Sequence, residues 1–176
     1  MSLRLPIVLL VVGVSTGFYA HAEQDALAFL YSPSVSAELD PLVDRIRIHA
    51  SNAEFELSLT LSQTLLEQLE HLKIDQPVLY GQLVVNHGII QSASQDYDLG
   101  LSVIDEGLEL MEQRTNPFDE MLINAIMAKG LTELVSGKSE EAEDTFRHAQ
   151  HITHRHGGVY SKDQLPIVNY VTRAPL

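Results

Sequence analysis

Shifted by 42 residues against itself, the sequence aligns Gly88 with Gly130, Tyr97 with Ser139, Gly100 with Ala142, Leu101 with Glu143, Ile104 with Phe146 and Gly107 with Ala149. One period earlier the same register reaches Ile46, Phe55, Ser58, Leu59, Ser62 and Leu65, a weaker copy. A fixed period in this range marks stacked units that bury their faces only against their neighbours. Glycine inside a helix costs about 1 kcal/mol relative to alanine. Gly88, Gly100 and Gly107 at matching sites therefore imply helices whose backbones must come close.

Apolar spacing supplies the units. Asp40 and Pro41 read as a helix start, Asp able to cap exposed amides and Pro tolerated at the first helical position, with a short helix following to about Ala50. Leu57, Leu61, Leu65, Leu66 and Leu69 predict an amphipathic helix over 53–72, broken at Asp75, Gln76 and Pro77. The helical pattern resumes through Leu79, Leu83, Val84 and Ile89, and after Ser94 through Leu99, Val103, Leu108 and Met111. Asn116, Pro117, Asp119 and Glu120 form the strongest start signal. They open a helix to Gly137, a second runs from about Ser139 to Gly157 and Gly158, and a short last one is expected near Gln164 to Thr172. No alternating strand pattern appears, so the class is all-α. The domain spans 40–176, with units of about 40–75, 78–114 and 117–158 and a terminal helix over 164–173.

Residues 1–22 stand apart. Arg4 gives a basic start, Leu5 to Val14 an apolar run shorter than the roughly 20 residues that span a bilayer, and Ala20, His21 and Ala22 a small-residue processing site. This is the pattern of an export leader cleaved between Ala22 and Glu23, implying a bacterial periplasmic location. Residues 23–39 read as a lead-in and linker. Losing the leader removes one arginine and no acid, leaving a formal charge of −14 against −13 for the whole chain. Such a surface repels phosphate backbones and argues against a nucleic-acid partner. With no cysteine, stability has to come from packing rather than disulfides.

Gly130, Ala142, Phe146 and Ala149 with Ile126, and Gly88, Gly100, Ile104 and Gly107 with Val84, resemble the tetratricopeptide repeat. The 42-residue period is similar to its long-helix variant in kinesin light chains and in exported bacterial repeat proteins. The resemblance implies a right-handed α-α superhelix and a non-enzymatic scaffold for a protein or peptide partner, without a cofactor. It places Arg47, Gln82, Val85, Asn86, Ile89, Asn124, Met127, Leu131 and Leu134 on the concave groove, where Asn and Gln can pair with an extended peptide backbone. The family's carboxylate clamp is not supported, because only Asn86 matches it while Val43, Arg47 and Ala128 do not. His87 and Lys129 are polar where the pattern has a large residue.

His148, His151 and His154 lie three apart, a stripe opposite the Ala142, Phe146 and Ala149 face. The spacing permits a shared Zn²⁺ or Cu²⁺, and a metal-handling protein is the alternative function. Arg147 and Arg155 beside the stripe favour instead a solvated cationic patch at a helix C-terminus. No phosphate-binding loop, His-Glu-x-x-His or nucleophile elbow is present, so no catalytic residue is assigned.

Overall fold

The computed structural model describes residues 25–157 and Tyr170; the expected leader and most of the expected terminal helix lie outside the described residues. After a short helical stretch at 25–27, seven helices follow in order among the described residues: α1 (Asp40–Ser51), α2 (Phe55–Gln68), the short α3 (Leu72–Asp75), α4 (Pro77–Ala93), α5 (Tyr97–Glu112), α6 (Ile123–Val135) and α7 (Ser139–Gly157). A 3-10 turn at Glu120–Leu122 precedes α6, and no strand occurs among the described residues. The chain is all-α, and the helix expected over 53–72 is divided into α2 and α3.

The 42-residue period reappears in the backbone. The first helices of the three pairs end at Ser51, Ala93 and Val135, and the second begin at Phe55, Tyr97 and Ser139. Between them stand Ala53, Gln95 and Gly137, with φ of 58°, 73° and 82°. In each turn the following amide closes the helix end: Glu54 N–H donates to the His49 carbonyl, Asp96 to Gln91 and Lys138 to Glu133. A residue in the left-handed region frees the last carbonyls to accept such bonds. Only the third position is glycine.

Packing largely follows chain order, α1 against α2, α4 against α5, α5 against α6 and α6 against α7, while both α2 and α3 pack on α4 and a smaller contact joins α4 to α6. The most extensive contact is α4 on α5, not the 117–156 hairpin whose sequence matches the pattern best. Glycine is the cause. A Cβ on Gly88 would lie 2.9 Å from the Gly100 carbonyl, and one on Gly107 2.8 Å from the Gly81 carbonyl. In the α6–α7 pair, Gly130 instead faces the Phe146 ring, a side chain that holds the backbones apart. At the equivalent crossing positions Ser58, Gly100 and Ala142 are all buried small residues, and the Ser58 hydroxyl donates to the Ile46 carbonyl at 2.8 Å.

The third pair departs from expectation at its start. Asp119 caps the 3-10 turn, its side chain accepting the Met121 N–H at 2.9 Å, and the α-helix begins only at Ile123. The two polar departures from the repeat pattern have partners. His87 pairs with the Ser62 hydroxyl, and burial holds its pKa below the usual histidine value. Lys129 reaches Asp105 of α5 at 2.7 Å.

Candidate functional site

Asn86, midway along α4, is 4% exposed and uses its whole amide on one residue. Its Oδ1 accepts the Tyr31 N–H at 2.7 Å, and its Nδ2 donates to the Tyr31 carbonyl at 3.0 Å. Pairing donor and acceptor with the same residue's backbone reads a peptide without regard to its side chain, as a neighbouring strand would. The Tyr31 side chain continues across the array. Its hydroxyl donates to the Met121 carbonyl at 2.6 Å and accepts the Ala125 N–H at 3.1 Å. Burial pushes its pKa well above the usual phenol value, partly offset by the Ala125 amide, so the hydroxyl is a neutral donor.

Residues 30–36 carry no regular secondary structure, and Tyr31 among them bridges α4 and the start of α6. Ala26, Leu30 and Tyr31 belong to the same core cluster as Ile89, Met127 and Leu131. At the far end the Asp40 carboxylate accepts the Val35 and Ser36 amides at 2.7 and 3.1 Å and the Ser34 hydroxyl at 2.9 Å. Those bonds, the Val35 amide first, hold its pKa below the usual carboxylate range. Asp40 therefore gathers the incoming segment, and it makes no side-chain cap on α1.

Within the 23–39 segment expected as a lead-in and linker, Ala26, Leu30 and Tyr31 are buried in the core. The residues expected to line an open groove are also mostly closed: Asn86, Ile89, Met127, Leu131, Val85 and Leu134 are buried, whereas Arg47, Gln82 and Asn124 are half-buried. For Asn86 the physical reason is the covering segment, whose apolar run through Leu27, Phe29, Leu30 and Tyr31 was the available signal, while Val85 faces Gly107 of α5.

His148, together with His156, holds a loop. His148 Nε2 donates to the Pro117 carbonyl at 3.0 Å, with its ring edge-on to Phe118 at 6.0 Å. Arg155 lies 4.5 Å over the Phe118 ring, and His156 bonds the Phe118 carbonyl at 2.8 Å and faces Glu120 at 3.3 Å. These side chains clamp the 117–120 loop onto α7. His151 is exposed, and among the described residues no three His, Asp or Glu side chains gather to hold a metal ion. His148, His151 and His154 are thus not brought together as a ligand set.

On another side, a cleft of about 490 Å³ opens between α2, α4 and α5. Leu66, Tyr80, Val84 and His87 contribute to its lining, together with Leu99 and Val103 and the carboxylates of Glu67, Glu70 and Glu106. The Asn86–Tyr31 pairing and the cleft belong to one class of protein, an all-α array of helix pairs recurring every 42 residues, with a segment of its own chain held against it. No protein-family model matches the sequence, and comparison with curated proteins and with solved structures finds no match.

Proposed function

We propose that this chain is an exported, non-enzymatic scaffold of the tetratricopeptide type, a right-handed superhelix of three helix pairs that binds an extended protein or peptide segment. In this reading residues 26–36 occupy the groove in cis, and a partner takes their place. The observation that carries it is the two-atom pairing of Asn86 with the Tyr31 backbone, a contact suited to any extended chain. The left-handed turns at Ala53, Gln95 and Gly137 support the repeat architecture.

A tethered segment competes at an effective concentration in the millimolar range, so the wild-type groove is closed to a weak ligand. The test uses a fluorescein-labelled peptide of residues 25–36 added to the mature chain. Tyr31→Ala, which weakens the cis segment, raises peptide affinity at least tenfold, and Tyr31→Phe raises it less while keeping the packing. Adding Asn86→Ala removes the gain. Unchanged affinity in helical, folded Tyr31→Phe and Tyr31→Ala proteins refutes the groove assignment. A mature N-terminus other than Glu23, read by sequencing after expression with the leader, refutes the processing site.

A further inference from the structure

The cleft between α2, α4 and α5 has a floor and a rim of different chemistry. Val84 and Leu66 lie buried in its base, and Leu99 on α5 stands 49% exposed beside the half-buried Val103. The rim carries Glu67, Glu70 and Glu106, all exposed. Lys73 pairs directly with the last of these at 3.0 Å and also lies within electrostatic reach of Glu70, which leaves Glu67 the least compensated. Glu67 accepts an amide hydrogen bond from Gln63 at 2.8 Å, and among the described residues no cation lies within ion-pairing distance of Glu67 or Glu70.

The corresponding step one period later has been altered. Lys129 stands where the first step has His87, Glu141 where it has Leu99, and Thr145 where it has Val103. Lys129 is drawn across to Asp105, with Glu133 at 4.0 Å. The later step keeps a buried apolar base in Leu108 and Ile126 but puts Glu141 and Thr145 where the first exposes Leu99 and Val103, and it ties its lysine to Asp105, whereas the first leaves exposed apolar surface and the Glu67 carboxylate facing the same opening. An exposed leucine in a concave site ringed by like charge invites an amphipathic cation. The volume also falls in the range of sites that enclose small groups.

We propose that this cleft docks a cationic segment of a partner protein, an apolar side chain seated on Leu66, Val84, Leu99 and Val103 and flanking lysines or arginines reaching Glu67, Glu70 and Glu106. The surface is separate from the Asn86 channel, so failure of either leaves the other standing.

The probe is an amidated, fluorescein-labelled peptide with a Leu-Phe centre and three lysines on each side, titrated by anisotropy into the mature chain at fixed ionic strength. Saturable one-to-one binding is expected. Glu67→Lys with Glu70→Lys weakens it at least tenfold, and Leu99→Ser weakens it about three- to tenfold. The charge-matched pair Glu109→Lys with Glu112→Lys, both exposed on α5, changes it less than twofold. A peptide with Ser-Ser at the centre binds at least fivefold more weakly. The proposal is overturned by absent saturation, by an equal loss in the charge-matched pair, or by undiminished binding of the Ser-Ser peptide. The last two outcomes would mean non-specific attraction to an acidic surface.

Discussion

Replacing Gly100 by alanine puts a methyl group where α4 and α5 leave no room for one. The new Cβ would stand 2.1 Å from the Ser92 hydroxyl and 2.9 Å from both the Gly88 carbonyl oxygen and the Ser92 nitrogen. The hydroxyl can rotate, at the loss of its 3.0 Å bond to the Gly88 carbonyl, about 1 kcal/mol. The two backbone atoms cannot move alone, so the helices must separate by about half an ångström, an overpacking strain of roughly 1–3 kcal/mol. Against this, alanine improves helix propensity by about 1 kcal/mol. The net is a destabilisation of about 1–3 kcal/mol, or roughly 2–12 °C in Tm for a chain of this size. Urea unfolding followed by far-ultraviolet circular dichroism measures it. Gly88→Ala meets the Gly100 carbonyl and the Ile104 nitrogen at 2.9 and 2.8 Å, so one separation of the helices accommodates both methyls. The double variant should then lose less than the two singles together. A Gly100→Ala protein more stable than wild type would mean that propensity alone governs the site, and the close-approach reasoning would fail.

The turns and the buried acid give two further tests. Gln95→Gly should stabilise by about 0.5–1 kcal/mol by relieving a left-handed backbone, and Gly137→Ala should cost about 1 kcal/mol; with nothing within 4 Å of the Gly137 site, the latter isolates the backbone term in thermal melts. Glu133 is 6% exposed, has an unpartnered Oε2, and has its pKa raised above the ordinary 4.5, by burial foremost. Its folded pKa exceeds its unfolded one, so its contribution is fully present below about pH 4.5 and is lost as pH rises through the raised value. Glu133→Gln should accordingly match wild type in urea melts near pH 4 and exceed it by about 1 kcal/mol at pH 7; equal curves at both pH values would refute the assignment.

What was legible in the sequence was what local spacing encodes. Gly88, Gly100 and Gly107 announce close approach because glycine in a helix needs a reason, and the contacts supply it. Leu65 and Leu66 of α2 are buried as the periodicity puts them, though Leu57 is exposed, and Pro77 begins a new helix. The left-handed turns at Ala53 and Gln95 were not legible, since neither residue favours that conformation and tertiary packing imposes it. Asn116 to Glu120 signalled a helix start, but the histidine and arginine clamp from α7 holds that stretch as a loop. The same clamp gives the histidines a purpose that i, i+3 spacing alone cannot tell from metal binding. Asn86 was singled out for its capacity to hold a peptide backbone. That the peptide is the chain's own could not be read, because the partners are 55 residues apart and no periodicity links them.

Tyr31 also sets an order of events. Helix pairs that contact their chain neighbours can form locally and early. The bonds of Tyr31 reach 55, 90 and 94 residues forward, to Asn86, Met121 and Ala125. They can close only once α4 and the beginning of α6 are both in place. Tyr31, although it precedes every one of these helices in the chain, is therefore among the last of the described residues to dock, and until then the Asn86 amide has no backbone partner.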